Sequence, residues 1–209
     1  MKVLLINGSP NSNGCTYTAL NEIATELKKE NVESEILQIG KKPISGCVGC
    51  GGCYRTGKGR CVFSDDIVNV ALDKAQSCDG IIIGSPVHYA AASGAITSFL
   101  DRLFYAGGKS FANKLGAAIV SCRRGGASSA FDQLNKYFTI SNMPIVSSQY
   151  WNMVHGNTPE EVVQDLEGMQ TMRVLGRNMA WLLKCIEAGK KAGIKLPEKE
   201  PKTMTNFIR

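Results

Sequence analysis

Apolar runs rich in β-branched residues alternate with segments of helical period along most of the chain. Val3-Leu4-Leu5-Ile6 is an unbroken apolar run, the pattern of a strand buried on both faces. Residues 16–29 follow with Leu20, Ile23, Ala24 and Leu27 on one helical face. Residues 32–39 alternate apolar and polar, as a half-buried edge strand does. Beyond them the pattern predicts a helix over 66–77, a buried strand over 80–84 around Ile81-Ile82-Ile83, and a helix over 94–104. A strand over 115–122, a helix over 128–140, a last strand over 144–150 and a long helical stretch over 159–188 complete the series. Five strands with intervening helices predict a parallel sheet covered on both faces. One domain over 1–188 holds it, and 189–209, with Pro197 and Pro201, reads as an extended arm. The irregular element is 40–64, a Gly- and Cys-rich insert after the second strand, and inserts of that length in a compact domain are usually functional.

Composition narrows the class. The chain has 209 residues, 44% of them apolar and 20% charged, which fits a globular core and excludes a disordered chain. The formal charge of +6 is dispersed, with no basic cluster interleaved with aromatics, so nucleic acid is not an expected partner. The first apolar run is only four residues long before Asn7-Gly8-Ser9-Pro10, too short for an export signal, and no membrane-spanning apolar stretch occurs. A cytoplasmic protein without a membrane partner is expected. In a reducing compartment the eight cysteines point to metal chemistry before disulfides.

The first strand runs into Ser9, Pro10, Asn11, Ser12, Asn13, Gly14, Cys15 and Thr16, and then a helix. A loop of small residues opening a helix aims several backbone N–H groups and the positive helix end at one point, which makes a phosphate site. The hydroxyls of Ser9, Ser12 and Thr16 can add donors. A nucleoside triphosphate loop would need Gly-Lys-Ser/Thr, but Cys15 follows Gly14 and the loop holds no basic residue. The dinucleotide spacing Gly-x-Gly-x-x-Gly is missing too, and the second strand ends in Gln38-Ile39-Gly40 without a ribose-binding acid. A phosphatase cysteine would want an arginine six positions on, where Asn21 stands. A single phosphate held by neutral donors remains, as in flavin mononucleotide.

Two further loops follow later strands. In the first, Pro86 stiffens a turn from which Val87, His88 and Tyr89 can lie along a flat ring. In the second, Cys122 and Arg123 precede Gly125 and Gly126, which permit close backbone approach. Hydride transfer to a flavin needs no protein acid or base, so His88 reads as a ring or substrate contact and no catalytic residue is assigned. His155 reads as a surface or capping residue.

Cys47-x2-Cys50-x2-Cys53-x7-Cys61 is the most unusual feature. The two-residue gaps put three thiolates on one tight turn, with a fourth arriving from beyond. Bacterial ferredoxin modules continue Cys-x3-Cys-Pro, whereas here the last gap is seven and Val62 follows. An iron–sulfur cluster, a zinc ion and free thiols are the three readings; zinc sites usually set Cys-x2-Cys pairs apart. Arg55, Lys58 and Arg60 would lower the electrostatic cost of clustered thiolates. Cys78, Cys122 and Cys185 read as small buried residues.

The loop at Ser9–Thr16, the segment Gly84-Ser85-Pro86-Val87-His88-Tyr89, the helix over 93–102 and Ser121-Cys122-Arg123-Arg124-Gly125-Gly126 together resemble the flavodoxin-like NADPH-dependent FMN reductase superfamily, over 1–188. The cysteine spacing resembles its iron–sulfur flavoprotein branch, in which a compact motif binds a [4Fe–4S] cluster. The resemblance implies a flavodoxin-like three-layer sandwich, a five-stranded parallel sheet in the order 2-1-3-4-5, and FMN on the three loops. It implies a reduced donor, NAD(P)H or a small electron-transfer protein, that loads FMN, a cluster exchanging electrons singly, and a small-molecule acceptor. It also implies a homodimer or homotetramer. A cluster-free NAD(P)H-dependent FMN or quinone reductase and a non-catalytic redox or metal sensor are the competing readings.

Overall fold

The computed structural model describes residues 1–201 and 203–205. Five parallel strands form the sheet: β1 (Lys2–Asn7), β2 (Glu33–Gln38), β3 (Gly80–His88), β5 (Leu115–Cys122) and β6 (Met153–His155), in spatial order β2-β1-β3-β5-β6. A two-residue strand, β4 (Ala91–Ala92), turns back antiparallel on the end of β3. Counting only the parallel strands, this is the flavodoxin-like order expected from the resemblance.

The apolar runs are continuous because both sheet faces are covered. Leu4, Ile6, Ile81 and Ile83 point into a core made with α3 (Val68–Gln76), α4 (Gly94–Phe111) and α5 (Ala127–Ile140). Val3, Leu5, Ile82 and Ile119 point the other way, onto α1 (Cys15–Lys29) and α7 (Leu166–Lys191). β2 lies at the edge and is only partly buried, as its alternation predicts. Among the described residues no helix is long and apolar enough to cross a membrane.

Four boundaries differ from the sequence reading. The last strand is not 144–150: Ile145 makes a single bridge to Gly116, and strand pairing resumes at Met153. Ser148 donates to the Thr171 carbonyl of α7 at 2.7 Å, and Asn152 bonds the carbonyl of Ala118 at 3.0 Å, so polar side chains replace ladder bonds there. The pattern over 159–188 divides into α6 (Pro159–Gln164) and α7, because the Asp165 carboxylate caps the second helix at Gly168 N–H, 3.0 Å away. α4 runs past the expected end at 104 to Phe111, through Gly107 and Gly108. β3 extends to His88, so the expected turn at Pro86 is a strand end leading into a hairpin.

The insert holds one short helix, α2 (Gly52–Arg55), and is otherwise irregular. After α7 the arm has no regular structure in its described part; its remaining residues, 202 and 206–209, lie outside the described residues. Cys78 and Cys122 are buried as expected, but Cys185 is exposed, because it falls on the solvent side of α7.

Candidate functional site

The three loops meet at the carboxyl ends of β1, β3 and β5. The phosphate loop is held from beneath by two side chains that the sequence reading passed over. Buried Asn7 accepts from Ser9 N–H at 3.1 Å and donates to Gln38 Oε1 at 2.5 Å, and Gln38 Nε2 donates to the Ser9 carbonyl at 2.6 Å. A polar residue ending an otherwise apolar strand was the available signal. α1 starts after its N-cap Gly14 with no side-chain cap and no acid in its own first turn, and the nearest acids, Glu160 and Glu161 of α6, lie close enough to act on Cys15. Asn11, Ser12 and Asn13 are exposed around it.

Two of the expected loop residues, one of them an expected donor, point elsewhere. The Thr16 hydroxyl is buried and shares a 2.8 Å hydrogen bond with Ser121, tying the first loop to the third. The Cys15 thiol faces the Gly156 carbonyl at 3.7 Å, and burial pushes its pKa up. At this loop the donors left free for a ligand are therefore backbone N–H groups more than the Thr16 hydroxyl.

The second and third loops enclose an open cleft of about 480 Å³ lined by Val87, Tyr89, Cys122, Arg123, Arg124 and Gly125. Tyr89, at the hairpin tip, is fully exposed with φ +57°. Pro86 and Val87 are half-buried and His88 is exposed. Cys122 is buried, which raises its thiol pKa. The two loops touch at Gly126 (φ +85°), where a Cβ would stand 2.9 Å from Ala90 Cα and from Val87 Cγ1. Ser93, the N-cap of α4, joins loops one and two: its hydroxyl donates to the Gly8 carbonyl at 3.1 Å and its N–H to Ser85 Oγ at 3.1 Å. His155 is outside this cleft's lining; its N–H donates to the Asp165 carboxylate at 2.6 Å, consistent with a surface role.

Cys47, Cys50, Cys53 and Cys61 line one cavity of about 400 Å³, with Tyr54, Asp101, Arg102 and Tyr105 on its other walls. The thiols are spread around the wall: among the described residues no three Cys, His, Asp or Glu side chains form a group that could hold one metal ion. The turn is tight, since a Cβ at Gly52 would stand 2.4 Å from Val62 Cγ1, and the Gly52 N–H points at Cys50 Sγ, 3.4 Å away. Cys61 is fixed by Asn69, which accepts from its N–H and donates to its carbonyl, both at 3.0 Å. Burial, with nearby Cys47 and Cys50, raises the Cys53 pKa. Of the basic residues expected to offset thiolate charge, Arg60 is paired with Asp73, and Arg55 bonds the Cys50 carbonyl at 2.6 Å.

A doubly wound parallel sheet in the order β2-β1-β3-β5-β6, with three loops meeting at its switch point, defines a flavodoxin-like protein. The fold is shared with a structure titled flavone reductase (TM-score 0.70, 19% identity, covering 90% of this chain and 64% of that one). It is shared also with an archaeal flavodoxin (TM-score 0.60, 17% identity, 88% and 99%). The model of the family described as NADPH-dependent FMN reductase matches residues 1–158, and the chain belongs to that family. Within it the chain falls in the iron–sulfur flavoprotein branch. It is 31% identical over 195 residues to an iron-sulfur flavoprotein of Methanocaldococcus jannaschii, covering 90% of this chain and all of the relative. It is 35% identical over 177 residues to one of Archaeoglobus fulgidus, covering 83% and 86%. By family it is an FMN redox protein and an oxidoreductase.

Proposed function

We propose that the chain binds FMN across its three loops, carries a [4Fe–4S] cluster on Cys47, Cys50, Cys53 and Cys61, and passes electrons between a reduced donor and a small-molecule acceptor. The observation that carries the reading is the convergence of all four insert cysteines on a single cavity, beside a buried arginine. Three cysteines in one Cys-x2-Cys-x2-Cys run suit a multi-atom cluster better than one zinc ion, whose sites usually set Cys-x2-Cys pairs apart. Bound FMN would supply the exchange between two-electron donors and one-electron acceptors. The chain's own part is to hold its phosphate at the open end of α1, seat its ring against Val87 and Tyr89, and fix the cysteine loop. The exposed Arg123 and Arg124 beside the cleft favour an anionic donor, which fits NAD(P)H or an acidic electron-transfer protein. The exposed Tyr150–Trp151 pair, with ring centroids 5.1 Å apart, favours assembly as a homodimer or homotetramer, and eight free cysteines fit the cytoplasm.

Anaerobic purification with iron, sulfide and flavin assays tests the reading. About four irons per chain are expected, with broad absorbance beyond that of flavin. Cys50→Ser should lose the iron and keep FMN, because the flavin loops lie on other segments. An iron-free wild type after anaerobic reconstitution, with Cys50→Ser fully active, would establish the cluster-free reductase instead.

A further inference from the structure

The guanidinium of Arg102, at the middle of α4, is 1% exposed and carries five N–H donors, each with an acceptor on the insert or its flank. Nε donates to Cys61 Sγ at 3.1 Å. One terminal nitrogen donates to the Ser45 carbonyl at 3.2 Å and to Asp66 Oδ2, and the other to the Phe63 carbonyl at 3.2 Å and Asp66 Oδ1 at 3.2 Å. The Phe63 ring lies against the guanidinium, 5.1 Å from centroid to Cζ. An ion pair with Asp66 alone would use only one edge of the fork. Here the remaining donors take hold of the chain before Cys47 and after Cys61, and one is aimed at a sulfur.

We infer that Arg102 is the positioning residue of the cysteine site, holding both ends of the insert on α4 and supplying the Cys61 sulfur with its hydrogen-bond donor. The inference rests on the proposed cluster reading where it concerns iron, and on the insert alone where it concerns anchoring. A hydrogen bond to a coordinating thiolate stabilises the more reduced, more negative cluster, so its removal lowers the reduction potential. Lysine is no substitute: its ammonium lacks the planar fork that reaches sulfur, two carbonyls and a carboxylate together.

The test compares Arg102→Gln with Asp66→Asn, which loses the ion pair and keeps the bond to sulfur. FMN binding checks that each variant is folded, and Arg102→Lys takes the place of Arg102→Gln if that variant fails to bind it. In the iron-free protein, amides of 44–63 should exchange about tenfold faster in the Arg102 variant, as expected when charge-assisted bonds are lost. In the iron-loaded protein, chelator should remove iron about 10–100-fold more readily. Redox titration should place the cluster potential of the Arg102 variant below wild type, with Asp66→Asn near wild type. Equal potentials for the Arg102 variant and wild type, or the same fall in Asp66→Asn, would reduce Arg102 to a core ion pair and overturn the inference. If wild type takes up no iron, the cluster reading falls separately; the exchange measurement then decides, and unchanged exchange overturns the anchoring.

Discussion

Gly126→Ala tests whether the hairpin and the third loop are one surface. The native backbone there is left-handed, which costs an L-residue about 1–2 kcal/mol. The added methyl would stand 2.9 Å from Ala90 Cα and Val87 Cγ1 and 3.0 Å from the Tyr89 carbonyl, against ordinary contacts of 3.4 Å or more. Two of those three atoms are hairpin backbone, so no side-chain rotation relieves the clash, and overpacking adds about 1–3 kcal/mol. The sum, about 2–5 kcal/mol, should lower the urea midpoint of the apoprotein by about 1–2.5 M, at a slope near 2 kcal/mol/M. Because the phosphate end is untouched, FMN and riboflavin should lose affinity by the same factor, measured by fluorescence quenching. An unchanged midpoint, or a loss confined to FMN, would refute this account of how the two loops meet.

Asn13→Asp places a charge beside the open end of α1. It should weaken FMN about tenfold relative to riboflavin at low salt and stabilise the apoprotein by about 0.3–1 kcal/mol; equal weakening of both ligands would mean the phosphate lies elsewhere. Buried Glu26 takes a hydrogen bond from Lys29, its strongest influence, and another from Arg177 at 2.8 Å, and these hold its carboxyl below the usual range. Its stabilisation is therefore present above the ordinary glutamate pKa and lost as pH falls through the lowered one. Glu26→Gln should be less stable by about 1–3 kcal/mol at neutral pH, with the gap closing in acid; a gap constant across urea titrations at both pH values would contradict this.

The central strands were legible because double-sided burial makes them continuous apolar runs, Val3–Ile6 and Ile81–Ile83 above all. The edge was not: Val146 sits in the stronger apolar segment, yet pairing there is a single bridge, and the ladder resumes over three residues at Met153. The insert cysteines and the Ser9–Thr16 loop, the candidate site segments, sit in short spacings that stand out in the sequence. The side chains that hold them come from distant elements. Gln38 reaches Ser9 from across the sheet edge, Thr16 meets Ser121, and Arg102 meets Cys61. Of these three, Arg102 left a trace, as an arginine on the apolar face that carries Ile96, Phe99 and Leu103, as Asn7 did at the end of its apolar strand.

That helix also acts as a ruler. Its N-cap, Ser93, bonds Gly8 just after β1 and Ser85 within β3, and nine residues later Arg102 grips the cysteine insert. At 1.5 Å per residue the two attachments stand about 14 Å apart along a rod that cannot stretch. One inserted residue between them would lengthen the gap by only about 1.5 Å but swing Arg102 by about 100°, off the insert altogether. The distance between the two halves of the site can thus change only in steps close to whole helical turns, so each half constrains the sequence that the other can tolerate.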